Sequence, residues 1–259
     1  MIDTHCHLTF PDFEGRVPDV LARAARAGVN GAITISTTTT DCLAALRIAR
    51  EHPGVWCSSG VHPLHSHEGP HDWATIQRVA SDARCVAWGE LGLDNHYGEP
   101  PRETQMAVLN EQIAMIEAWE GRTLPIVLHC REAFDDLIPV LRRTRIDPTR
   151  FVFHCFTGTA SEARRCLDLG AMISFTGIVT YKNAADVREA ARLVPADRIM
   201  AETDAPYLPP DPHRSQRPCE PWMASVTAQA LAVLRTESWD DFHAAINQNT
   251  RRVFGISAS

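Results

Sequence analysis

The sequence has 259 residues, 44% of them hydrophobic and 22% charged, the range of one large globular domain with a full core. Its net charge of −7 excludes a globally basic surface of the kind that coats duplex DNA by counterion release, so any phosphate recognition must be local. No segment approaches the roughly twenty apolar residues of a membrane span, the start MIDTHCHLTF has no basic region followed by an apolar one, and the eight cysteines are scattered singly, so a cytoplasmic protein with reduced thiols is expected.

In chain order, short β-rich apolar runs alternate with stretches of helical periodicity, the pattern of βα units on a parallel sheet. Strands are predicted at 1–8, 29–36, 55–62, 85–91, 124–129, 151–156, 171–175 and 198–203. The clearest helices are predicted at 17–27, 42–50, 104–118 and 162–169, the last stopped by Gly170 in a C′ position. A Pro-rich loop at 208–221 follows the eighth strand, and two further helices complete the chain. No repeat or linker divides it. The fold class expected is therefore a TIM (β/α)8 barrel of eight parallel strands with extra C-terminal helices, forming one domain over 1–259.

In such a barrel the interior is apolar, and chemistry gathers where strands end and βα loops begin. The sequence places His5-Cys6-His7, His62, Glu90 and Asp94, His129, His154, and Glu202-Thr203-Asp204 at those ends. Strand side chains alternate, so His5 and His7 share a face and can share one metal ion, with Cys6 turned outward. The same alternation is expected to turn Cys130 and Cys155 toward the helices as small buried hydrophobes. One histidine at a strand end is weak evidence, but four histidines with a glutamate and an aspartate form a polar set that is costly to bury without a metal. Arg131 and Arg214 are candidates for a bidentate grip on phosphate, against the alternative of solvated charges. His65, His67 and His71 fall in a polar loop and are expected to be solvated.

The segments DTHCHL, GVHP, GELGLD, HCRE, HCFTG, SFTGIVTYKNA and ETDAPYL, in that order and spacing, resemble the TatD-type deoxyribonucleases among the amidohydrolase-like metal hydrolases. The resemblance implies two divalent ions, Mg²⁺, Mn²⁺ or Zn²⁺. His5, His7 and Asp204 would hold one, His129 and His154 the other, and Glu90 would bridge them. It also implies that His62 and Glu202 are active-site residues outside that set, His62 facing substrate as well. Related barrels often bridge their metals with a carboxylated lysine from a barrel strand. The one lysine here, Lys182, lies in the loop after the seventh strand, which leaves the bridge to Glu90.

Departures from the family pattern include Leu64 where a second histidine is frequent, Asn95-His96 where an aromatic pair is common, and Ser215 and Cys219 in the loop after the eighth strand. None falls on the ligand set. The implied activity is metal-dependent phosphodiester hydrolysis, a 3′-to-5′ exonuclease on single-stranded DNA with RNA as a further substrate, in which Asp204 ligates an ion and accepts a proton from water. No membrane or obligate protein partner is implied. A lactonase, deacetylase or phosphotriesterase is the enzymatic alternative, because fold and metal set do not fix the reaction. A non-catalytic binding protein would be marked by a lost ligand, and all six are present.

Overall fold

The computed structural model describes residues 1–257. Eight parallel strands pair in the order β1-β2-β3-β4-β5-β6-β7-β8: β1 (Ile2–Cys6), β2 (Gly31–Thr34), β3 (Val55–Ser59), β4 (Cys85–Asp94), β5 (Ile126–Arg131), β6 (Phe151–Phe153), β7 (Met172–Phe175) and β8 (Ile199–Ala201). The ring closes just beyond the last strand, where the backbone N–H of Asp204 donates to His5 O and that of His7 to Ala205 O. This is a nearly closed TIM barrel, as the alternating pattern predicted.

Each strand is followed by a helix: α1 (Val17–Arg26), α2 (Thr39–Glu51), α3 (Trp73–Ala80), α4 (Arg102–Glu117), α5 (Phe134–Leu141), α6 (Ala160–Leu169), α7 (Ala185–Leu193) and α8 (Ala224–Leu234). One more, α9 (Trp239–Phe254), lies outside the eightfold pattern. The core has two layers. Between strands and helices lie the bulky residues, among them Trp88, Phe151, Phe153 and Phe175. Inside the barrel a smaller set, Ile2, Ile33, Val86, Val127, Val152, Met172 and Met200, packs with Phe254 and Ile256 from the end of α9, which closes one mouth of the barrel.

Several boundaries differ from expectation for local reasons. Helices α2 and α6 begin two to three residues early because threonines cap them: Thr38 accepts from Asp41 N–H, and Thr159 forms a capping box with Glu162. Periodicity, which starts at the first buried apolar residue, misses such caps. Gly170 ends α6 at φ 104°, as predicted. Strand β6 stops at Phe153 and β8 at Ala201, so His154 and the 202–204 run stand on loops just past the ladder.

Candidate metal centre

Two irregularities in the strands aim the ligand-capable side chains inward. In β1, Asp3 pairs with Ala32 and Cys6 with Thr34, so one extra residue bulges between them. Ile2 and Thr4 face the barrel interior before the bulge, and His5 and His7 face it after. In β4 a second extra residue falls between Trp88 and Leu91 and turns Glu90 inward. Gly92, at φ 147°, leaves room for β5: a Cβ there would stand 1.9 Å from His129 O.

The inward groups converge on Glu90, which is 2% exposed. Its Oε2 lies 3.3 Å from His5 Nε2. Its Oε1 lies 2.6 Å from His154 Nε2, 2.7 Å from His129 Nδ1 and 3.4 Å from His62 Nε2. Asp204 Oδ1 completes the first side, 3.3 Å from His7 Nε2 and 3.6 Å from His5 Nε2. Three triads have ligand atoms close enough to surround one ion: His5, His7 and Glu90; His5, His154 and Asp204; His62, Glu90 and His129. The structure thus brings together all six residues implied as ligands and sets His62 directly beside them.

This donor set fits divalent cations. Two imidazole nitrogens, His5 Nε2 and His7 Nε2, face each other at 3.3 Å, an approach that a shared cation or proton must mediate. His5 Nδ1 is buried without a hydrogen-bond partner among the described residues, and His154 Nδ1 has only the distant Glu202 Oε1, at 3.5 Å, beside it. Burial alone would raise the Glu90 carboxyl, but His154, His62 and His5 outweigh it and hold it well below the usual carboxylate range. His5 is pushed the other way, below the usual imidazole range, by burial and by His154 stacked on it at 3.8 Å. His7, His129 and His154 are shifted upward instead, because the carboxylates they face outweigh burial, and a divalent cation among them would take the place of those protons.

Around the ligands lies a set of orienting groups. Glu202, 1% exposed, accepts from Thr4 Oγ1 at 3.0 Å, Ser174 Oγ at 2.7 Å and Cys155 N–H at 2.6 Å, and stands 3.5 Å from His154 Nδ1. Asp3, fully buried, accepts from Thr203 N–H and Oγ1 and from His5 N–H, tying the two backbones that carry His5 and Asp204. Burial raises its carboxyl to about 8 despite the Thr203 hydrogen bonds.

Asp94 is the main residue that the sequence reading left out of its site. Its Oδ2 is 2.8 Å from His129 Nε2, and its Oδ1 accepts from the backbone N–H of His96 and Tyr97. Gln105 clasps its backbone at both ends. A carboxylate on the far nitrogen fixes a histidine's tautomer and leaves Nδ1, the nitrogen beside Glu90, free to ligate. The signal was present in the sequence, because Glu90 and Asp94 are both polar in a strand end otherwise of Gly and Leu. Asp94→Asn is expected to weaken divalent-metal affinity about ten- to hundredfold. Calorimetric metal titration checks this, and an unchanged affinity would show that Glu90 alone orients His129.

A cavity of about 810 Å³ opens above the cluster, lined by His7, Glu90, Asp94, His154 and Asp204 below and by Phe10, Leu64, Tyr97, Arg131 and Tyr207 nearer solvent. Arg131 thus stands at the mouth, its Nη1 3.3 Å from Tyr97 Oη. Arg214 is not among the lining residues; its guanidinium stacks 3.6 Å over the Tyr181 ring. Cys130 is buried in the layer beneath the helices, as expected, although it also borders the cavity. Cys155 lies outside that layer: β6 has already ended, the residue turns at φ 42°, and it joins the cavity wall beside Thr176. Strand alternation cannot be extended past the ladder that imposes it. Of the departures from the family pattern, Cys219 is fully buried against Met223 and Ser215 is exposed, while Asn95 and His96 bind Asp136 and Glu132 on the surface. His65 pairs with Glu68 at 2.6 Å at the rim, and His67 is exposed.

A parallel eight-stranded barrel with a histidine pair at the end of its first strand and a buried glutamate among further histidines has the fold of the amidohydrolase-like hydrolases. The chain belongs to the TatD-related DNase family, whose model matches residues 2–255. It is 37% identical over 262 residues to the uncharacterized metal-dependent hydrolase YcfH of Escherichia coli K12, covering 100% of this chain and 97% of that one. It is 36% identical over 262 residues to the 3′-5′ ssDNA/RNA exonuclease TatD of Erwinia tasmaniensis, covering 99% and 100%. The crystal structure of YjjV, a TatD homolog from E. coli K12, superposes with a TM-score of 0.90 at 32% identity, covering 99% of this chain and 98% of that one.

Proposed function

We propose that this metal-dependent hydrolase is a deoxyribonuclease that removes nucleotides from the 3′ end of single-stranded DNA and accepts RNA as a further substrate. The observation that carries the reading is the division of histidines by one carboxylate: Oε2 of Glu90 turns to His5, and Oε1 to His129 and His154. Such a glutamate suits a bridge between two divalent ions, one held with His5, His7 and Asp204 and the other with His129 and His154. Bound there, Mg²⁺, Mn²⁺ or Zn²⁺ would supply positive charge and Lewis acidity beside a phosphodiester.

The chain's own residues divide the remaining work. Asp204, 16% exposed and facing the cavity, is held below the usual carboxylate range by His7 and His5 against the effect of burial, so its Oδ1 is ionised and able to accept a proton from attacking water. Glu202 fixes the loop that carries His154. His62 stands beside Glu90 and His129 where substrate enters. Arg131, without a carboxylate partner among the described residues and bordering the cavity beside Tyr97, would grip a phosphate at the mouth. The whole of 1–259 acts as one domain in this reading.

A net charge of −7 provides no basic track for a duplex, and the cavity above the cluster favours a threaded terminus. A linear single strand is therefore expected to shorten stepwise from its 3′ end while a covalently closed circle of the same sequence resists. A time course on both forms, with the divalent ions compared in parallel, tests this. Equal cutting of the circle would make the activity endonucleolytic, and cleavage only of lactone or phosphotriester controls would remove the nuclease reading altogether.

A further inference from the structure

The walls of the cavity carry a feature that hydrolysis alone does not use. Few large apolar side chains are exposed among the described residues, and two of them, Tyr97 at 49% and Tyr207 at 50%, both line the mouth of this cavity. They come from opposite sides of the barrel. Tyr97 follows β4 and Tyr207 follows β8, four strands apart in a ring of eight, so the ligand cluster lies between them.

Each ring is held in place. Three residues before it in the chain, Asp94 fixes the turn that carries Tyr97 by accepting from its backbone N–H, while the Arg131 guanidinium sits 5.0 Å from the ring centroid and His96 meets it edge-on. Across the mouth, Phe10 stacks on His7 at 4.6 Å and meets Tyr207 edge-to-face at 6.1 Å, so an aromatic path runs from the ligand cluster outward. The Tyr207 backbone N–H donates to Asp204 O.

We propose that Tyr97 and Tyr207 are two nucleobase-stacking platforms, one for the base on each side of the phosphodiester that is cut, with Arg131 holding the phosphate beside Tyr97. The proposal rests on the nuclease reading above and deepens it. An acidic protein cannot draw a polyanion by its overall field, so binding must come from short-range contacts, and stacking on an aromatic face serves every base while requiring that the base be unpaired. Selection of single strands then arises from the aromatic walls rather than from charge.

Two measurements separate this proposal from the reading beneath it. The first needs no turnover: fluorescence or calorimetric titration with dAMP and with 2-deoxyribose 5-phosphate, which carries the same phosphate and no base. The wild-type protein is expected to bind dAMP about tenfold more tightly. Tyr97→Ala or Tyr207→Ala is expected to reduce that preference, and the corresponding Tyr→Phe to keep it, because stacking survives loss of the hydroxyl. The second compares oligonucleotides with an abasic residue at the last or next-to-last position. Each alanine variant is expected to erase the wild-type discrimination at one of these positions, read as the ratio of kcat/KM values. Equal binding of the two phosphates, or equal cleavage of abasic and base-bearing strands, overturns the platforms while leaving the nuclease reading intact. A Tyr-dependent preference for dAMP in a protein that cuts no oligonucleotide would keep the platforms and overturn the nuclease.

Discussion

Glu90→Gln is expected to reduce activity by more than about a hundredfold and to lower the divalent-metal content of the purified protein. That exceeds the loss typical of a carboxylate that only orients a ligand. The amide keeps the shape but loses the negative charge, and one of its two ends becomes a donor that cannot ligate. Because Oε1 and Oε2 serve different histidines, the substitution disturbs both sides of the cluster at once. It also removes the buried anion that His5, His62, His129 and His154 all face. Lys182→Ala is the control: the side chain is exposed and outside the cavity, and its loss is expected to change activity by no more than about twofold. Metal analysis alongside kinetics decides the matter, and equal losses in the two variants would point to another metal geometry.

Gly92→Ala is expected to destabilise the protein by more than about 4 kcal/mol, among the largest effects of a single methyl group. The backbone there sits at φ 147°, a region closed to side chains, and the added Cβ would meet His129 O at 1.9 Å and His129 C at 2.9 Å. Neither atom can yield without separating β4 from β5, the pair that sets Glu90 and Asp94 against His129. Thermal unfolding should begin roughly 10 °C lower, or the variant should fail to accumulate in soluble form. A midpoint within about 2 °C of the wild type would show that the two strands can re-register at little cost.

The barrel was legible because it follows from periodicity: eight apolar runs and the helical stretches between them each obey a repeat that burial imposes. The ligand set was legible because polar residues at the ends of apolar strands are costly unless they serve chemistry. What escaped was local. The bulges in β1 and β4 depend on pairing between strands distant in sequence, so the two-residue rule that places His5 beside His7 gives no sign that Ile2 and Thr4 face the same way. Cys155 was misplaced by carrying a strand's alternation beyond its last hydrogen bond. Asp94 was in view but unassigned, since nothing in one dimension says that its carboxyl reaches His129 across a ladder. Arg214 could be read only as a positive charge, and its stacking on Tyr181 is a matter of tertiary placement.

The packing of α9 bears on the order in which the molecule can assemble during synthesis. Phe254 and Ile256 share the inner layer of the barrel with Ile2, Ile33 and Val86, so that layer joins the first strand to the last helix. A chain emerging from the ribosome can form βα pairs early, because each contacts its sequence neighbours. It cannot seal the interior until the segment around residue 256 is free. Contacts of such sequence separation are slow to form, and until they do the lower barrel mouth is an apolar surface open to other chains. The last helix thus completes the core, and the period before it docks is when that inner apolar layer stands open.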